Sequence, residues 1–369
     1  MSHGRRSRPP TAAKPQRFFE KELAGEEPPS FATMQSLYAL AKDVFARAPW
    51  GRMTEDKLVL VEGAAPDGLC YCSIMGALGE VFALQVYLGA EGYRSFQRMH
   101  AGEPMTTGEF IAGQRCLYVH FVPLRELEPP DRELLEAMGH PLKAGTVAPQ
   151  FRSMRPGYHA WYPTAPEARI LAECHGAFLA FYDRWQADRD VDYWVEENVY
   201  PLLSRRGEEN EYELRLAKAP APPKPIPRLP AVDESWIRRI LAARFASRGV
   251  LEVDHFYGAA MIGEKHERKA CVRIAVAIDA RTEHAYRPVA GSAEASTGDM
   301  LVEVVLGAIE SASAIPKEIH VRDREFKVLL DPLGHALGFP VRVAKSMPAL
   351  ELVKSELLAM MGDTPSPVR

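Results

Sequence analysis

The chain has 369 residues, 47% hydrophobic and 25% charged, the composition of an ordinary globular protein with room for two cores. No apolar run reaches the roughly 18 residues of a membrane-spanning helix, and the basic N-terminus (Arg5, Arg6, Arg8, Lys14, Arg17) lacks the apolar stretch of a secretory signal. The net charge of −4 is uneven: residues 1–17 hold five basic groups and no acidic one, residues 18–230 hold 22 against 30, and residues 231–369 hold 18 against 19. Neither large segment is basic, which excludes a uniformly cationic nucleic-acid-binding domain and leaves room only for a local basic groove.

Five cysteines, odd in number and thinly spread, describe no disulfide framework and point to a reducing, cytoplasmic setting. Residues 1–30, rich in Pro, Arg, Ser and Glu, are expected to form a disordered basic tail. An α+β domain is expected over 31–217. Leu37, Leu40, Val44 and Phe45 share a helical face, and Ala48-Pro49-Trp50-Gly51 ends that helix. Strands are expected over 58–62, 70–75 and 81–88; in the last, Phe82, Leu84, Val86 and Leu88 alternate with their neighbours. A helix over 91–100, a strand over 116–122 and a short helix over 131–138 follow. Pro166 suits the first turn of a long helix reaching Gln186. Strands over 199–203 and 211–216 flank Arg206-Gly207-Glu208-Glu209-Asn210, a loose hairpin.

Pro220, Pro222, Pro223, Pro225, Pro227 and Pro230 then disfavour helix and ladder alike, so 218–232 reads as a semi-rigid proline-rich linker. A second domain is expected over 233–363. Asp233 can cap a helix over 233–243. Strands over 250–257, 270–278 and 283–289 follow, the last two joined by Asp279-Ala280-Arg281-Thr282. Next come a helix over 297–314, a strand over 318–322, a helix over 326–337 that Pro332 should kink, and a strand over 341–344. The last helix, with Ser346 as a candidate cap, carries Leu350, Val353, Leu357 and Met361 on one face. The strand–helix–strand passage from 318 to 344 predicts parallel strands.

Three carboxylates stand where metal-dependent phosphodiester hydrolysis would need them. Asp254 lies inside the first strand of this domain, Asp323 ends a later one, and Glu351 or Glu356 lies on the last helix, 28 and 33 residues beyond Asp323. Two-metal chemistry requires such groups to converge from adjacent strands and a covering helix. Val253-Asp254-His255-Phe256-Tyr257 and Ile319-His320-Val321-Arg322-Asp323 resemble the strands that carry the two aspartates of integrase and transposase catalytic domains. The resemblance covers about 110 residues. It implies an α/β RNase H-like fold with a mixed sheet, and Asp254, Asp323 and Glu356 as catalytic residues and ligands of Mg²⁺ or Mn²⁺. The chain departs from that pattern after Asp323, where Arg324-Glu325-Phe326 replaces the family's Asn-Gly turn. An arginine there would compete with a metal for the carboxylate.

Tyr71-Cys72-Ser73-Ile74-Met75-Gly76-Ala77-Leu78-Gly79-Glu80, Val86-Tyr87-Leu88-Gly89 and the 251–257 strand also resemble a family of uncharacterised bacterial two-domain proteins. That resemblance spans most of 35–361 and implies a shared architecture and bacterial origin, with no activity attached. Cys70, Cys72 and Cys174-His175 could approach one another, but without the CxxC turn of structural zinc sites they read as buried thiols. Gly76-Ala77-Leu78-Gly79 lacks both P-loop and dinucleotide spacing and reads as a turn. The aromatic run over 156–162 beside Arg152 and Arg155 reads as a core edge before it reads as a base-stacking surface. Two expectations emerge. The first is a non-catalytic binding module with a degenerate RNase H-like domain, no resident cofactor, and a protein or nucleic-acid partner. The second is a metal-dependent nuclease acting through Asp254, Asp323 and Glu356.

Overall fold

The computed structural model describes residues 13–361 except 67, 141, 142, 144, 189, 190, 208–210 and 224–226. Its first half comprises α1 (Ala13–Glu22), α2 (Phe31–Arg47), β1 (Val59–Ala65), β2 (Gly68–Met75), β3 (Phe82–Leu88), α3 (Gly89–His100), α4 (Thr107–Ala112), β4 (Cys116–Pro123), α5 (Pro129–Ala137), β5 (Val147–Met154), α6 (Ala165–Ala187), β6 (Val199–Arg206) and β7 (Glu211–Lys218). The strands form one sheet in the order β5-β4-β3-β2-β1-β6-β7, antiparallel except where β1 meets β6. Period-two alternation divides β2 between two cores. Cys70, Cys72 and Ile74 join the core under α1, α2 and α6, while Tyr71 stacks on Tyr93 of α3 at 4.5 Å.

The expected disorder of residues 1–30 is corrected from Ala13 onward; residues 1–12 lie outside the described part. Phe18, Phe19 and Leu23 are buried in the first core, and Phe18 meets Tyr162 edge-on at 5.2 Å. Three large apolar side chains in six residues offset the ordering entropy that the polar composition alone would leave unmet. The hairpin residues 208–210 and Pro225 also lie outside the described residues.

The second half comprises α7 (Glu234–Ala243), β8 (Ala246–Ser247), β9 (Val250–Ile262), β10 (Ala270–Asp279), β11 (Val289–Gly291), α8 (Thr297–Ala312), β12 (Ala314–Ile315), β13 (Glu318–Val321), α9 (Arg324–Leu337), β14 (Val341–Val343) and α10 (Pro348–Met360). Its main sheet has the order β11-β10-β9-β13-β14. β9 runs antiparallel to β10 and parallel to β13, and β13 and β14 are parallel as the strand–helix–strand passage predicts. Leu251 and Val253 face α8 and α9, whereas Phe256 joins the core under α10. The third strand falls at 289–291, not 283–289, and α9 continues through Pro332. Between β7 and α7 the described residues form neither helix nor strand.

One register feature positions the site. β13 pairs with β9 only from Val250 to Val253. Beyond that point β9 keeps β10 alone, and α4 of the first half packs against it at Tyr257 and Gly258. A Cβ on Gly108 would lie 2.4 Å from the Tyr257 carbonyl oxygen, so only glycine permits this approach. The seam continues where Cys271 N–H donates to Gly157 O and His159 N–H donates to Lys269 O, each at 2.8 Å.

Candidate functional site

At the end of β13, where β9 loses that partner, a cleft of about 600 Å³ opens between the two sheets' domains. One wall is a face of α3 at helical spacing, Glu91, Arg94, Ser95 and Arg98, with Glu109 of α4 beside it. The other wall is 254–257 of β9, the start of α9, Thr297 of α8 and Lys354 of α10.

Asp254 sits at the base, its side chain 2% exposed. It accepts from His255 N–H at 2.9 Å, and its second oxygen lies 3.3 Å from Arg322 Nε and 3.6 Å from Lys354 Nζ. Burial raises its pKa above the ordinary carboxylate value, and the Lys354 and Arg322 charges act the other way. Lys354 bridges the domains, reaching Glu109 of α4 at 3.4 Å and lying 5.0 Å above the Phe256 ring. His255, on the opposite face of β9, accepts from Arg273 Nε through Nε2 at 3.2 Å. Burial and the Arg273 charge push its pKa down to about 3, so the ring is neutral. Arg273 is held in turn by Thr297 Oγ1 at 2.5 Å, by Ala293 O and by Ala295 O.

The three carboxylates singled out by sequence separate here. Asp254 and Asp323 line the same cleft; Glu356 is exposed on α10 and does not, nor does the exposed Glu351. Asp323 caps α9, accepting from Phe326 N–H at 3.0 Å. Among the described residues no group of three His, Cys, Asp or Glu is arranged to hold a metal ion. The competing arginine is also corrected: Arg322 pairs with Asp254, while Arg324 lies outside the cleft lining. Glu325 does line the cleft, with its pKa raised by burial and by the charge of Asp323.

Sequence reasoning missed Lys354, His255, Arg273 and the whole α3–α4 wall. Lys354 was within reach of pattern reading, because it follows Leu350 by four residues and so shares its inward helical face. The α3–α4 wall carries no local signal for meeting β9. Elsewhere, Cys70, Cys72 and Cys174 do meet, fully buried, and burial and the two neighbouring thiols push Cys174 far up. His175 instead turns to Leu171 O at 2.7 Å, so the group is a core contact. All five cysteines are free and buried.

These features define a two-domain protein of helices and mixed sheets that shares one cleft between its halves. Residues 35–201 match the family model described as Domain of unknown function (DUF7309), and residues 236–358 match that described as Domain of unknown function (DUF6930). No curated protein matches the chain. No helix among the described residues is long and apolar enough to cross a membrane.

Proposed function

We propose that the chain is a non-catalytic binding protein of the bacterial cytoplasm. In this reading its C-terminal domain is a degenerate RNase H-like domain, and the interdomain cleft receives a protein or nucleic-acid partner. The fold reading is supported by the sheet order β11-β10-β9-β13-β14, in which β9, the sheet's first strand in chain order, is central, antiparallel to β10 and parallel to β13. The cytoplasmic reading is supported by five free, buried thiols.

The observation that carries the non-catalytic reading is the occupation of Asp254 by two cations. A divalent metal at Asp254 would have to sit against the charges of Lys354 and Arg322, and Glu356 is not in the cleft to compensate. Wild type, Asp254→Asn and Lys354→Met are incubated with end-labelled single-stranded and duplex oligonucleotides in Mg²⁺ or Mn²⁺. Melting temperature is followed against Mn²⁺ concentration in parallel. No cleavage is expected, and no Mn²⁺-dependent stabilisation that Asp254→Asn removes. Cleavage that needs metal and is lost in Asp254→Asn would establish the phosphodiesterase reading through Asp254 and Asp323 and overturn this one.

A further inference from the structure

The near-neutral charge of the second domain conceals one strongly cationic pole. Residues 235–251 contain Arg238, Arg239, Arg244 and Arg248 and no carboxylate. The fold gathers these with Lys317. Arg238 is exposed on α7, and Arg244 ends that helix with φ of 48°. β8 then pairs in parallel with β12, bringing Arg248 and Lys317 onto neighbouring backbones: Arg248 N–H donates to Ile315 O, and Lys317 N–H donates to Gly249 O, each at 2.9 Å. This pole holds the C-terminal end of α8 and the first residues of β9 and β13. The cleft lies at the other end of the same elements, by Thr297 and Asp323.

Among the described residues four of these cations, Arg238, Arg244, Arg248 and Lys317, make no ion pair, and Glu318 at the start of β13 is held by Arg342 at 2.8 Å. Glu310 is paired with Arg239 at 3.6 Å, and Asp279 accepts from the N–H groups of Arg281 and Thr282. Glu283 stands in the same turn. The side chains of Arg238 and Arg248 donate to the neutral carbonyls of Glu234 and Ala312. Arg248 thereby complements the end of α8, a structural role that leaves its full charge facing outward.

We infer that this pole is a docking surface for the phosphodiester backbone of a nucleic acid. Four of the five cations are arginines, whose forked guanidinium pairs with phosphate oxygens. A lipid surface is disfavoured because Leu241 is the sole large apolar side chain exposed within residues 236–250, and interfacial anchoring needs a broad apolar face. The contacts read charge and carry no sequence preference.

Fluorescence polarisation with labelled single-stranded and duplex oligonucleotides tests the inference on the full chain. At about 50 mM salt the wild type binds duplex, with the logarithm of the binding constant falling against log salt at a slope of about −3, as expected for three to four phosphates. The variant R244E/R248E/K317E loses at least about tenfold in affinity, R238E loses less, and R244K/R248K retains most of it. Circular dichroism establishes that each variant is folded, and R238E, which touches no second element, serves if the triple variant is not. Absence of wild-type binding at low salt, or equal binding by the folded charge-reversal variants, overturns the inference. So does competition by polyglutamate, or capture by phosphatidylserine vesicles, in place of binding to nucleic acid.

Discussion

Arg268 ties the two domains together, and its removal should loosen them by a large amount. It belongs to the turn between β9 and β10, yet its side chain is 5% exposed among residues of the first domain. Nη1 donates to Ser153 O at 2.9 Å and to Ser153 Oγ at 3.4 Å, Nη2 to Tyr162 O at 3.3 Å, and Nε to Glu26 at 3.3 Å. Glu167 lies 3.8 Å away. Arg268→Ala leaves Tyr162 O without this donor and removes one of the two cations shared by Glu26 and Glu167, which Arg155 also holds at 2.7 and 2.9 Å. Breaking a buried charge pair by removing one partner costs about 3–5 kcal/mol, and the loss here should fall at the lower end of that range because Arg155 stays paired with both carboxylates. Arg268→Lys keeps the charge but loses the fork, so an intermediate loss is expected. Urea unfolding followed by tryptophan fluorescence and far-UV circular dichroism on one sample reads the result. Four of the five tryptophans, Trp50, Trp161, Trp185 and Trp194, lie in the first domain, so uncoupled domains would give non-coincident transitions. A loss below about 1 kcal/mol, with coincident transitions, would place Arg268 with ordinary surface pairs and refute the argument.

Gly108→Ala forces a methyl to within 2.4 Å of Tyr257 O and 2.7 Å of the Gly258 carbonyl carbon, both backbone atoms. It should cost about 1–3 kcal/mol, whereas Gly307→Ala, which meets nothing within 4 Å on the exposed side of α8, should gain about 0.4–1 kcal/mol; thermal melts of the two variants decide, and equal effects would remove α4 from the seam. Acid should destabilise the fold through its buried histidines. Burial first, helped by Arg152 at His120 and by Arg273 at His255, pushes His120 and His175 down to about 4 and His255 down to about 3. Their contribution is therefore complete above pH of about 6.5 and is lost as pH falls towards those values, because the unfolded chain takes up protons that the folded chain refuses. Stability measured between pH 7 and 4.5 should fall with a slope approaching three protons, and His175→Phe should reduce it by one; a flat profile would mean that these rings are hydrated.

Much of the second domain was legible because its order of strands and helices is carried by local periodicity and short connections. Asp233 and Asp323 read as boundary residues and both cap helices, and the parallel pairing of β13 with β14 follows from the intervening helix. What was not legible depended on distant partners. Residues 13–23 look polar by composition, and only the presence of Tyr162 and the first core makes Phe18 and Phe19 order them. α4 is six residues long and is helical because Thr106 and Glu109 form a capping box, a signal that the flanking Gly102 and Gly113 obscured. At the candidate site Asp254 was found by its place in a strand. Its partners Arg322 and Lys354 are 68 and 100 residues away in sequence, and no local pattern brings them to it.

The same long-range geometry makes the pair of domains, and not either one, the unit that builds the cleft. Lys354 reaches Asp254 within its own domain and Glu109 across the seam, so its charge is shared between two carboxylates from different domains. In an isolated second domain Glu109 would be gone, the β9 edge beyond Val253 that α4 covers would be open, and Lys354 would neutralise Asp254 in an open, hydrated setting. Association with α4 removes water from this group, which strengthens each pairing and raises the cost of leaving Asp254 charged without one. Under the proposed binding reading, a ligand of the cleft would either accept from Arg322 and Lys354 in place of Asp254 or leave that triad intact and use the α3 wall. Either route makes its affinity depend on the seam at Gly108 and Arg268 as much as on the residues it touches.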